Sequence, residues 1–126
     1  MLIRDILEES EKKFSEIKAV KWLKKKEICD RSYRELMENV KSVRKGLCEE
    51  SFQGKHIALI GSSSVEWIEA YLGIITGQAV AVPLDAGLPA EDLIDLLNRS
   101  DAEALFLSPK IQTLSERILD ECPNLK

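Results

Sequence analysis

The spacing of apolar residues changes several times along this 126-residue chain, and each change marks an element. Ile3, Leu7, Ser10 and Phe14 fall on one stripe of a helix, with Glu8, Glu9, Glu11 and Lys12 on its other sides. Residues 19–23 and 27–30 read as two short strands around the turn Lys24-Lys25-Lys26. Ser32, with Glu35 three residues later, forms a capping box that satisfies free N–H groups at a helix start. Tyr33, Leu36, Met37, Val40, Val43 and Leu47 then recur at spacings of three and four, a core-facing stripe that ends near Glu49.

Past Gln53-Gly54 the pattern becomes that of buried strands alternating with helices. Residues 56–60 are apolar on both faces, as an inner strand of a parallel sheet requires. Ser63 and Glu66 have capping-box spacing and open a helix whose Val65, Trp67, Ile68, Tyr71, Leu72, Ile74 and Ile75 cover most of its girth. Gly77 ends it. Residues 79–82 are the next buried strand, stopped by Pro83. Pro89 stands at a first helical position, and Leu93, Ile94, Leu96 and Leu97 supply that helix's inner face. Residues 104–107 form a third inner strand. Ile111, Leu114, Ile118 and Leu119 mark a last helix, halted by Pro123. Three strand–helix units with short crossovers predict a mostly parallel α/β sheet with flanking helices and right-handed connections over residues 32–126. A helix and hairpin over 1–31 precede it. No internal repeat, low-complexity stretch or composition break divides the chain.

Composition narrows the function classes. The chain is 44% hydrophobic and 32% charged, enough to bury a core, and its net charge of −4 argues against a nucleic-acid partner. Cys29, Cys48 and Cys122 are far apart and His56 is the single histidine, so no metal-ligand spacing exists. The cysteine usage fits a reduced compartment. The first residues, Met1-Leu2-Ile3-Arg4-Asp5, lack the apolar core of a secretory signal, and no apolar run approaches the ~20 residues of a membrane span. The expectation is a soluble, cytoplasmic protein.

Candidate chemistry is sparse. Gly61-Ser62-Ser63-Ser64 lies between a strand and a helix, where backbone N–H groups often hold phosphate. Yet no lysine completes a phosphate loop and no further glycines complete a dinucleotide fingerprint, so capping by Ser63 is the stronger reading. Asp85 follows a strand as a phospho-acceptor would, but serines stand where its magnesium-binding carboxylates would be; a turn role beside Pro83 and Gly87 is favoured. His56 has no nucleophile or carboxylate at a recognisable spacing. Trp22 among Lys21, Lys24, Lys25 and Lys26 reads as a solvated hairpin, and Glu91-Asp92 as first-turn carboxylates facing a helix dipole. No catalytic, cofactor-binding or metal-binding residue is assigned.

Two stretches carry a resemblance. Arg31-Ser32-Tyr33-Arg34-Glu35-Leu36 resembles the first core motif of adenylate-forming enzymes, a Ser/Thr-Tyr-x-Glu-Leu opening a helix. Residues 73–85, closing in Val82-Pro83-Leu84-Asp85, resemble the second. Between them, residues 54–61 followed by Glu66-Trp67 look like the family's strand and helix start. Pro89 and Leu97-Asn98-Arg99-Ser100 are similar to its long-chain acyl-CoA synthetase branch. Together, and in order, these motifs identify residues 1–126 as resembling the N-terminal part of an AMP-forming acyl-CoA synthetase, with a partial flavodoxin-like fold.

The resemblance implies a parent enzyme that joins a carboxylic acid, a fatty acid in the long-chain branch, to ATP with magnesium. It releases pyrophosphate, then passes the acyl group to CoA and releases AMP. A carboxylate is a poor acyl donor until its oxygen becomes a good leaving group, which is what adenylation supplies. The family's Ser/Thr/Gly-rich loop with its lysine, its acidic ribose ligand and its late catalytic lysine have no counterpart in this sequence. The chain is therefore expected to be non-catalytic alone, cut in mid-fold and prone to self-association. Two other readings stay open: part of an amino-acid-activating adenylation domain, or a free-standing, non-catalytic α/β interaction module.

Overall fold

The computed structural model describes residues 2–126. Helix α1 (Ile3–Phe14) leads into a hairpin of β1 (Lys18–Lys24) and β2 (Glu27–Ser32). Lys24 pairs with Glu27, leaving a two-residue loop in which Lys25 and Lys26 both take positive φ, 50° and 68°. That is the left-handed pair a tight hairpin turn needs to match strand twist. Helix α2 (Tyr33–Glu49) starts directly from β2, and its capping box is formed: Ser32 Oγ accepts from Glu35 N–H at 3.2 Å, and Ser32 N–H donates to Glu35 Oε1 at 3.1 Å. The hydrogen bond from the Ser32 N–H, and then the neighbouring Ser32 hydroxyl, hold the Glu35 carboxyl below its ordinary range.

The α/β part runs β3 (His56–Ile60), α3 (Val65–Thr76), β4 (Val80–Leu84), α4 (Ala90–Arg99), β5 (Ala102–Leu107), a 3₁₀ turn (Pro109–Leu114) and α5 (Ser115–Glu121). The three strands are parallel in the order β4-β3-β5. Alternation along β3 explains its wholly apolar sequence. Ala58 and Ile60 pack on one side with Leu93, Leu97, Ile118 and Cys122 of α4 and the α5 end. Ile57 and Leu59 pack on the other with Leu47, Ala70 and Ile74 of α2 and α3. The β3-to-β4 and β4-to-β5 crossovers run in opposite directions across the sheet, with α3 and α4 on opposite faces. Both therefore have the same hand, as the twist of parallel strands demands.

A third cluster, Leu36, Met37 and Val40, joins α2 to Leu7 of α1, Ala19 of β1 and Leu72 of α3. Coverage of α1 is partial: on its expected stripe Leu7 and Ser10 are half-buried, whereas Ile3 and Phe14 are exposed. Phe14 lies with its ring centroid 6.3 Å from that of Tyr33.

Several expectations are corrected. The α3 cap is Ser64, whose Oγ accepts from Trp67 N–H at 3.1 Å; Ser63 is exposed one residue earlier, so Ser63 and Glu66 form no box. Pro83 lies within β4 and does not stop it. Val80 N–H bonds Lys55 C=O, and in a parallel ladder alternate residues face the same neighbour; Pro83 therefore turns its missing donor away from β3. Only β3 is flanked on both sides, while β4 and β5 are edges among the described residues. Gly77 does end α3 as expected, as its cap at φ −96°, but the left-handed step falls on Gln78 at φ 65°. Pro89 occupies the cap of α4 rather than its first turn. The last helix is broken: Ile111 and Leu114, three apart, fit the eclipsed 3₁₀ spacing, and Leu119 of α5 is exposed.

Candidate functional site

Open parallel sheets bind ligands outside the carboxyl ends of their strands, where crossovers diverge. In this chain that ridge is made of residues 61–64 after β3, 85–88 after β4 and Ser108 after β5. Gly61 and Ser108 are pressed together: a Cβ at Gly61 would stand 3.2 Å from Ser108 Cβ, and Ser108 N–H bonds Ile60 C=O at 2.9 Å. Ser62 and Ser63 are exposed there, and Trp67 stacks on Tyr71 behind them, with centroids 5.2 Å apart and planes 7° off parallel. Asp85 holds a turn, its Oδ1 accepting from Gly87 N–H at 2.8 Å and its carbonyl from Leu88 N–H at 3.2 Å.

Among the described residues, no side-chain hydrogen bond joins Ser62 or Ser63 to a carboxylate or an imidazole. His56 sits at the opposite end of the five-residue β3, roughly 13 Å along the strand from Ile60, with the serines beyond that. Its Nδ1 lies 2.6 Å from the Ser100 carbonyl, a contact that ties the strand start to the end of α4. Cys122 is buried, and burial pushes its thiol up, away from the reactive thiolate. Cys48 is exposed and Cys29 half-buried. Among the described residues, no group of three or more His, Cys, Asp or Glu side chains could hold a metal ion, and no helix is long and apolar enough to cross a membrane. Glu91 and Asp92 do open α4, and Glu91 pairs with Arg117 of α5 at 3.3 Å.

The charged cluster that sequence reasoning missed lies between the hairpin and the helices. Glu69 of α3 is buried; its Oε2 accepts from Asn39 Nδ2 of α2 at 2.5 Å and lies 3.3 Å from Arg31 Nε of β2. The Arg31 N–H does not point along that line, so the contact is an ion pair without a hydrogen bond. The same guanidinium stacks over Trp22 at 5.5 Å. Burial raises the Glu69 carboxyl pKa, and Asn39 and Arg31 act against the rise. One signal was available: Glu69 lies four residues after Val65 and four before Gly73, on the inward side of α3. With its partners supplied internally, the cluster is a joint between elements.

A family model of AMP-binding enzymes matches residues 7–125. The chain belongs to the AMP-binding enzyme family. The likeness extends to a CoA ligase of Gibberella moniliformis, 37% identical over 76 residues, which are 60% of this chain and 13% of that protein. The nonribosomal peptide synthetase criC of Aspergillus cristatus is 33% identical over 78 residues, 62% of this chain and 4% of its own length. Among solved structures, coronafacic acid ligase from Pectobacterium brasiliense superposes with a TM-score of 0.90 at 21% identity, covering 99% of this chain and 24% of that one. The anthranilate CoA ligase AuaEII gives 0.83 at 22% identity, covering 96% and 23%. These superpositions establish the fold: an N-terminal helix, a short hairpin and a three-stranded parallel sheet of the adenylate-forming type. The chain spans about a quarter or less of each of these relatives.

Proposed function

We propose that the chain is the opening part of an acid–thiol ligase that adenylates a carboxylic acid with ATP and magnesium and transfers the acyl group to CoA, and that it serves there as scaffold. The family match over residues 7–125 carries this reading. The geometry supports the scaffold role. Among the described residues, Ser62 and Ser63 have no side-chain hydrogen bond to a base, Asp85 is committed to its turn, and the buried carboxylate is committed to Asn39 and Arg31. A fatty acid is the proposed substrate class, on the strength of the motifs around Pro89 and residues 97–100.

The test is carboxylate-dependent exchange of labelled pyrophosphate into ATP. The 126-residue chain alone should give none, and exchange catalysed by it would overturn the scaffold reading. With a longer polypeptide carrying these residues, a panel of fatty, aromatic and amino acids should yield acyl-CoA from a fatty acid. Adenylation of amino acids without CoA acylation would instead make it part of a peptide-synthetase domain.

A further inference from the structure

A cleft of 340 Å³ opens between α1, α2 and the α3–β4 turn. Four cations converge on it: Arg4 from α1, and Lys41, Arg44 and Lys45 from consecutive turns of α2. Three have carboxylates at hand, Arg4 with Glu8 at 3.1 Å, Lys41 with Glu11 at 3.1 Å and Lys45 with Glu49 at 3.9 Å. Among the described residues, Arg44 has none. Its Nε donates to Thr76 Oγ1 at 3.3 Å, its Nη2 is buried without a hydrogen-bond partner, and Thr76 is itself buried and anchored to the Leu72 carbonyl at 2.5 Å.

The guanidinium is also held in place. A Cβ at Gly77 would stand 3.2 Å from Arg44 Cγ, so the absent side chain leaves room for the arginine stem to lie against the end of α3. Gln78, with φ 65°, turns the backbone at the rim. A buried donor without an acceptor is unfavourable, and a fixed fork of N–H groups matches an oxyanion. Burial, then the nearby charge of Arg4, lowers the Arg44 pKa, and the Glu8 carboxylate raises it by less. The cleft walls carry four positive groups and one lining carboxylate, Glu49, while Glu8 and Glu11 pair with Arg4 and Lys41, so Arg44 is the lining cation left without an ion pair among the described residues. An oxyanion would supply the acceptor that Arg44 lacks.

We propose that this cleft is a binding site for a phosphate-type oxyanion, held by the Arg44 guanidinium with Lys41 and Lys45 at the mouth. The proposal goes beyond the adenylation reading and does not depend on it.

Inorganic phosphate and pyrophosphate, titrated into the 126-residue chain at low ionic strength and followed by amide chemical shifts, provide the test. Saturable shifts at Arg44, Thr76 and Gln78 are expected, with acetate at equal ionic strength giving none. Arg44→Met should weaken binding by about tenfold or more, since hydrogen bonds to a charged group are lost. Lys45→Ala, at an exposed position that does not support the core, should weaken it about threefold. Arg117→Met, on α5, should change nothing. If Arg44→Met fails to fold, Lys41→Ala and Lys45→Ala decide the matter. Non-saturating shifts, or binding undiminished in these cleft variants, would overturn the proposal.

Discussion

At the scale of single residues, Glu69 is the position where burial and charge conflict. Its native pKa lies above the ordinary 4.5 because the charged form is desolvated, so the folded chain holds this proton more tightly than the unfolded chain does. The stability linked to that proton is fully present below the ordinary value and is lost as pH rises through the raised native one. Glu69→Gln has no proton to lose. The difference in melting temperature between the variant and the parent should therefore shift in favour of the variant from pH 4.5 towards neutrality; parallel profiles would refute it. Glu69→Ala should destabilise by about 2 kcal/mol in urea melts, because Asn39 and Arg31 lose their partner. This cluster was the part of the molecule least legible in the sequence. Arg31, Asn39 and Glu69 are far apart along the chain, and no local spacing announces a contact made only when the hairpin docks on two helices. Ser64 illustrates a smaller limit. Three consecutive serines offer three possible caps, and the choice is fixed by where the chain leaves β3.

At the scale of elements, periodicity was a dependable guide. The α2 stripe and its box, the five-residue β3 and the inward face of α4 all appear where residue spacing places them. Spacing could not say how closely two helices approach. That distance is set at Gly73 of α3, where a Cβ would lie 2.5 Å from Val43 Cβ and 3.3 Å from the Val40 carbonyl of α2. Alanine is intrinsically better than glycine within a helix by about 1 kcal/mol. Here the clash outweighs that gain, because Val43 is β-branched and stiff and Val40 offers backbone. Gly73→Ala should thus cost a net of about 1–3 kcal/mol in denaturant unfolding. Val43→Ala in the same chain should recover part of the loss. A neutral Gly73→Ala, or a double variant as unstable as the sum of the singles, would show that the helices simply move apart.

At the scale of the whole molecule, the two sheet edges are unequal. The β4 edge faces outward with Pro83, which offers no donor to a further strand. On β5, Ser108 N–H bonds Ile60 C=O, so by alternation residues 103, 105 and 107 turn their polar backbone outward. The Glu103 carbonyl is taken by Lys126 N–H at 2.9 Å, which leaves the backbone of Leu105 and Leu107 facing outward beside the exposed ring of Phe106. A groove lined by Leu47, Phe52, Ala104 and Phe106 runs along the same side, so donors, acceptors and apolar surface coincide at one edge. Self-association should therefore proceed through β5 and rise with concentration in sedimentation equilibrium. Burying a phenylalanine side chain contributes about 1.5–3 kcal/mol, so Phe106→Glu should weaken association by about tenfold or more. Val80→Glu on the guarded β4 edge, at a side chain of similar exposure, should leave it unchanged. A chain monomeric at all concentrations, or one whose association responds to Val80 and ignores Phe106, would show that an uncapped parallel strand beside an apolar groove is not enough to recruit a second copy.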